Sequence, residues 1–132
     1  MKPQIALNPS QMEELKSLGL DCSDASVTWV GKDKENKLPL LMCLENRDAG
    51  LFQQLKRTPA YTLEDILMKL PGDNVVETDF YLTLTKDDKY WLAYEDYKLR
   101  HHVRFDSTSP LMAAFQMLKH VIKNHPDKIK RI

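Results

Sequence analysis

Hydrophobic and polar positions alternate most regularly across residues 79–97, DFYLTLTKDDKYWLAYEDY. Phe80, Leu82 and Leu84 interleave with Tyr81, Thr83 and Thr85, a period of two that sends one set to each face of a sheet. No proline interrupts the run, and its residue types suit strands. Lys86, Asp87, Asp88 and Lys89 make a polar turn, because Asp side chains bond their own backbone. The return run sets Tyr90, Leu92 and Tyr94 against Trp91 and Ala93. The stretch predicts a β-hairpin. A lone hairpin is marginal in water, so its aromatics need a covering layer. That layer is a predicted helix over residues 109–124, whose Leu111, Ala114, Phe115, Leu118, Val121 and Ile122 form one apolar stripe.

Elsewhere the pattern is punctuated by caps. Asn8 is placed as an N-cap with Pro9 at the first helical position. Gln11 completes a capping box, and Leu7 and Met12 form a hydrophobic staple. Met12, Leu15 and Leu18 share a face, Gly19 ends the helix, and Leu20 folds back on Leu15. Residues 25–30 read as a strand, 31–37 as a charged loop, and 38–44, with Pro39, as the second strand of a hairpin. Residues 45–58 show no clear period, although Leu51, Phe52 and Leu55 suit a helical turn or two. Thr62 caps a second helix with Asp65 in the capping-box position and Tyr61 and Ile66 as staple. Leu63, Ile66, Leu67 and Leu70 form its buried stripe, and Pro71-Gly72 stops it. Within residues 98–106, Val103 and Phe105 alternate with His102 and Arg104, which suggests a short fifth strand. Ser109 caps the last helix with Pro110 at its first position, and Asn124 and Pro126 end it. The expected fold class is α+β: an antiparallel sheet of four to five strands built from two hairpins, with helices packed on one face, in the order α-β-β-α-β-β-(β)-α. Residues 1–132 form a single domain with a frayed basic tail at 126–132.

Composition narrows the class of function. The 132 residues suit one domain. Lys+Arg and Asp+Glu number 19 each, which argues against both a strongly basic nucleic-acid protein and an acidic disordered chain. Cys22 and Cys43 are too few for a disulfide framework and have no metal-motif spacing, so they read as reduced thiols. No apolar run approaches the ~20 residues of a membrane span, and Met1-Lys2-Pro3-Gln4 leads into no signal-peptide core. A cytoplasmic protein without a membrane partner is expected.

Candidate chemistry is sparse. His101 and His102 are adjacent on a strand and point to opposite faces, while His120 and His125 are five apart, off the spacing of a helical metal pair. Neither cysteine sits in a nucleophile motif, and no phosphate loop or dinucleotide fingerprint occurs. Glu64-Asp65 and Asp87-Asp88 are accounted for by a cap and a turn, and Glu95 and Asp96 end a strand. The expectation is a protein that is not an enzyme, with no catalytic residues, no metal and no cofactor.

Binding surfaces remain. Tyr81, Tyr90, Trp91 and Tyr94, with Tyr97, exceed what one buried sheet face needs, so one set can lie on an open face and anchor a protein partner or a second copy of the chain. The alternative is nucleic-acid binding: Lys98, Arg100 and Arg104, with His101 and His102, cluster after the hairpin, and Lys119, Lys123, Lys128, Lys130 and Arg131 cluster at the end. Should the last helix pack beside the fifth strand, these form one face that tracks phosphates. The strand–strand–helix ending resembles double-stranded-RNA-binding domains, but Ser109-Pro110-Leu111-Met112-Ala113-Ala114 lacks the lysine cluster such domains carry there. A plain solvated charged face is the favoured account of these residues.

SQMEELKSLGLDCSDASVTWV, YTLEDILMKLP and the pairing of FYLTLTKDDKYWLAYEDY with SPLMAAFQMLKHVIKN together resemble a group of small proteins from prophages and mobile elements of gut anaerobic bacteria. The matching residues are Thr62, Leu63, Asp65, Ile66, Leu67, Leu70 and Pro71, then Trp91 and Tyr94, then Ala113, Ala114, Met117 and Leu118. The ending Lys123-Asn124-His125 departs from that pattern, where a glycine-containing stop is expected. The matches are caps and core positions. They imply a phage or mobile-element accessory protein and transfer no activity.

Overall fold

Caps decide where the helices begin. In the computed structural model, which describes residues 4–31, 40–42, 56–72 and 80–130, α1 spans Pro9–Ser17. Asn8 Oδ1 accepts from the Gln11 N–H at 2.8 Å, and Gln11 Oε1 accepts from the Asn8 N–H at 2.9 Å. At the other end Gly19 takes φ +95°, a left-handed value. The Gly19 and Leu20 N–H groups then return to the carbonyls of Lys16 and Leu15, the expected Schellman pair. Met12 and Leu15 are fully buried. α2 (Leu63–Lys69) starts at Thr62 with a reciprocal box: Thr62 Oγ1 accepts from the Asp65 N–H and Asp65 Oδ2 from the Thr62 N–H. α3 (Pro110–Asn124) starts at Ser109, whose Oγ accepts from the Met112 N–H.

The α+β class and antiparallel pairing hold, but the single sheet of four to five strands does not. Among the described residues, six strands form two three-stranded sheets. In the first, β1 (Val27–Gly31) is central between β2 (Leu40–Met42) and β3 (Lys56–Ala60). β3 overlaps the end of the stretch without a readable period, residues 45–58, and runs two residues past it. Its sequence, Lys56-Arg57-Thr58-Pro59-Ala60, carries charge and a proline, which only an edge strand tolerates; pairing with β1, Val27 to Ala60 through Gly31 to Lys56, decides its conformation. The helical turn expected at Leu51, Phe52 and Leu55 lies outside the described residues, as does Pro39. The second sheet has order β4-β5-β6, with β4 (Tyr81–Lys86), β5 (Tyr90–Glu95) and β6 (His101–Ser107). It contains the expected hairpin and the expected fifth strand.

α3 covers one face of the second sheet, packing on β5 and β6, and α2 packs on α3. That position explains why α3 buries Ala113 and Met117 in addition to its expected stripe: it meets a sheet and a helix at once. One connected core joins α1, α2 and α3 with Leu92 and Tyr94 of β5. Within the first half, the Leu7 N–H donates to the Tyr61 carbonyl, and the Trp29 Nε1–H to the Leu7 carbonyl at 2.7 Å. Beyond α3 the described chain continues to residue 130. A 3-10 turn at Pro126–Lys128 is followed by Ile129 against the core and by the Lys130 N–H donating to the Lys69 carbonyl at 2.8 Å. Arg131 lies outside the described residues.

Candidate functional site

The second sheet has one face covered by α3 and one opposite it. Alternation along β5 sends Leu92 and Tyr94 toward α3, where both are fully buried, and sends Trp91, Ala93 and Glu95 to the other side. Antiparallel register then sets the outer face: Trp91 lies opposite Thr85 and Asp106, Ala93 opposite Thr83 and Arg104, and Glu95 opposite Tyr81 and His101. Among the described residues, the helix that packs extensively on this sheet is α3, on the opposite face; on the outer face Ala93 is fully buried and Trp91 half-buried.

Two side chains of β6 lie against Trp91. The Arg104 guanidinium carbon sits 4.3 Å from its ring centroid, and the His101 ring centroid lies at 5.0 Å. Arg104 is itself fixed, with Nε and Nη2 donating to Asp106 Oδ1 and Oδ2 at 2.7 and 2.8 Å. This fork holds the Asp106 carboxyl below the usual carboxylate range and raises Arg104. His101 Nε2 lies 2.9 Å from Glu95 Oε2. Tyr81, 49% exposed, completes the outer face beside Glu95. The result is an indole in contact with a guanidinium and an imidazole, each on a carboxylate partner. Its order comes from side-chain contacts already made, so little rotamer freedom is left to lose on contact.

Two of the four aromatic candidates do not belong there. Tyr94 is fully buried on the helix-facing side, and its hydroxyl donates to the Pro71 carbonyl at 2.7 Å. Burial pushes its phenol up from the ordinary tyrosine value. Tyr90 follows the same alternation and is half-buried at the strand end, with Lys86 Nζ 5.3 Å from its ring. Of the four aromatic candidates, Tyr94 and Tyr90 thus form the set on the helix-facing side, and Trp91 and Tyr81 the set on the outer face.

The basic candidates do not converge. Lys98 and Arg100 lie in the β5–β6 turn, which buried Asp96 organises: its Oδ1 accepts from the N–H groups of Lys98 and Arg100, and its Oδ2 from Arg100 Nε at 2.8 Å. Burial opposes ionisation of Asp96, but these hydrogen bonds outweigh it and hold the carboxyl below its usual range. Leu99, at φ 61°, turns the chain there. Arg104 is on the open face. Lys119 and Lys123 are on α3, across the sheet, where Lys119 reaches Glu14 at 3.1 Å. With Phe105, Gln116, His120 and Asn124 they line an open groove of about 350 Å³. His120 sits 5.9 Å from the Phe105 ring and 6.4 Å from His125. Burial, then His125 and His102, lower its pKa. Among the described residues no group of three or more His, Cys, Asp or Glu could hold a metal ion.

A second cluster has no counterpart in the sequence reading. Lys69 is 2% exposed, and its Nζ lies 2.6 Å from Asp24 Oδ2 and 5.3 Å from the Tyr61 ring. The Tyr61 hydroxyl donates to Asp24 Oδ1 at 2.6 Å, and the Asp21 carbonyl oxygen lies 3.1 Å from it. Burial, with the Asp24 bond, pushes its phenol up. Cys22 beside it is a free buried cysteine whose thiol burial also raises. Buried Asp65 accepts from the N–H and hydroxyl of Ser26 as well as from Thr62. These bonds fasten α2 to the turn that enters β1. Among the described residues, every buried side-chain nitrogen and oxygen has a partner, so the cluster presents no unsatisfied group to a ligand. Cys43 lies outside the described residues. No protein-family model, no curated protein and no solved structure matches the chain.

Proposed function

We propose that this chain is a non-enzymatic protein-binding module whose contact surface is the outer face of the second sheet. The observation that carries the reading is Trp91 with Arg104 at 4.3 Å and His101 at 5.0 Å from its ring, on the face of the sheet opposite α3. Trp, Tyr and Arg are the residues that most often dominate protein interfaces, and here one of each stands on a rigid strand. The resemblance to small prophage and mobile-element proteins supports an accessory role in that setting. A cytoplasmic location agrees with the sparse cysteines, and no helix among the described residues is long and apolar enough to cross a membrane. Nucleic-acid binding is the weaker reading, because Arg100, Arg104 and Lys119 each already face a carboxylate and Arg104 lies across the sheet from α3.

Affinity capture from cell extract tests this, using the wild type, Trp91→Ala and Tyr81→Ala, each with and without nuclease. Proteins retained by the wild type should survive nuclease and be lost with both variants, while circular dichroism shows the variants folded. Capture that is unchanged in both folded variants, or that disappears with nuclease, overturns the reading.

A further inference from the structure

A sheet edge exposes the N–H and C=O groups that a further strand would use. Both outer strands of the second sheet are edges, but they are not equivalent. β4 has a neighbour, since the Leu82 N–H donates to the Gly72 carbonyl at 2.8 Å. β6 is long for an edge, His101–Ser107, contains neither proline nor lysine, and has no partner strand on its outer side among the described residues. Its only irregularity lies near His101, at the register shift between Tyr94 and Glu95, so the part from Val103 to Ser107 is regular. In the β5–β6 ladder, Leu92 pairs with Phe105 and Ala93 with Arg104. The Leu82–Gly72 bond shows that even-numbered residues of β4 point away from β5. The alternation of narrow and wide pairs then turns the N–H and C=O groups of Arg104 and Asp106 outward.

We infer that two copies of this chain join antiparallel along β6, with Arg104 of each opposite Asp106 of the other. The edge is self-complementary. A two-fold axis through Phe105 places Arg104 across from the partner's Asp106 and, by the same symmetry, Asp106 across from the partner's Arg104. These are the two residues whose backbone groups face outward, so both fall at hydrogen-bonded positions. Neighbouring registers are worse: centring on residue 104 opposes two arginines, and centring on 106 opposes two aspartates. Each guanidinium has five donors and uses two of its nitrogens on its own Asp106, which leaves capacity for a second carboxylate. On the covered side, the same axis brings Phe105 against the partner's Phe105. There the groove of about 350 Å³, lined by Phe105 and by α3 but by no β5 residue, gives the ring space at this edge. The joined sheets form one continuous layer that carries both Trp91 rings on one side. The inference goes beyond the binding role proposed above, because it names the occupant of the edge and leaves the open face free for another protein.

Sedimentation of the full chain across micromolar concentrations tests it. The wild type should show a monomer–dimer equilibrium. Arg104→Asp and Asp106→Arg should each weaken it by about tenfold or more, since two symmetric pairs change from opposite to like charge. The double variant should restore dimerisation. Tyr81→Ala, on the far strand, should leave the dimer intact even where it abolishes capture of other proteins, so failure at the edge and failure of the open face are read separately. Register is tested with Phe105→Cys, which should oxidise to a covalent dimer beyond the wild-type level, whereas Thr85→Cys on β4 should not. A wild type of monomer mass at every concentration overturns the inference. So does association indifferent to both single charge reversals, or equal cross-linking from positions 85 and 105.

Discussion

The same three chemical groups meet twice in this protein, once inside and once outside. In the first half, the ring of Tyr61, the ammonium of Lys69 and the carboxylate of Asp24 are packed together, with cation to ring at 5.3 Å and cation to carboxylate at 2.6 Å. In the second, the ring of Trp91, the guanidinium of Arg104 and the carboxylate of Asp106 stand at 4.3 and 2.7 Å. The difference is solvent. The Lys69 side chain is 2% exposed, whereas those of Arg104 and Asp106 are 36% and 44% exposed. A buried ion pair is indispensable to the fold once present, because loss of one partner strands the other charge. A solvated pair is screened and adds little to stability. The inner group is thus explained by the fold it fastens. The outer group is equally ordered but holds no two elements other than neighbouring strands together, which is why a contact role fits it.

The inner group carries the largest effect on stability. Asp24→Ala leaves Lys69 buried against a ring with its carboxylate gone, and should cost about 3–5 kcal/mol in urea denaturation. Lys69→Met should cost clearly less, because an unbranched apolar chain replaces the cation while Asp24 keeps the Tyr61 hydroxyl. Equal losses in the two variants would show that the pair matters for packing alone. Next in size is Leu118→Ala. Leu118 is fully buried where α3 meets the sheet and α2, so about 2–5 kcal/mol should be lost by the same measurement. A value well below that would mean the α3 interface collapses into the space.

These two sites also mark how far the amino-acid pattern could be read. Leu118 belongs to an unbroken apolar stripe with a cap at Ser109, and the structure bears both out. The caps at Asn8 and Thr62 and the stop at Gly19 were equally legible, because each rests on side chains within a few positions. Lys69 was not legible. A lysine next to Leu70 reads as a solvated flank, and only Asp24, distant in sequence, makes its burial tolerable. β3 failed for the same reason, since a charged strand with Pro59 is specified by its partner β1 rather than by its own period. In the site, alternation separated Trp91 from Tyr94 correctly but could not tell which face α3 would cover. Arg104 was grouped with Lys98 and Arg100 by sequence proximity, whereas strand register sets it beside Trp91 instead.

The outer group should behave in the opposite way to the inner one. Arg104→Ala and Asp106→Asn should leave the urea midpoint nearly unchanged while reducing association in sedimentation and capture in extract. A large loss of stability would erase the contrast, because the outer group would then be a fastening like Lys69.

The smallest effect separates the two faces of the second sheet by pH. On the covered side, His120 is pressed against Phe105 with His125 nearby, and its pKa is lowered below the usual histidine value by burial first and by the neighbouring histidines next. The folded state therefore holds fewer protons on this ring than the unfolded chain does. Stability is present above the unfolded value of about 6.5 and falls as pH drops through the window below it. On the open face, Asp106 is lowered by its Arg104 partner, so its contribution persists to far more acidic solution and is lost only as pH falls through the carboxylate range. Between pH 7.5 and 5, His120→Gln should flatten the decline in thermal midpoint, and Asp106→Asn should not. If both slopes match the wild type, His120 is not the group that couples the covered face to protons.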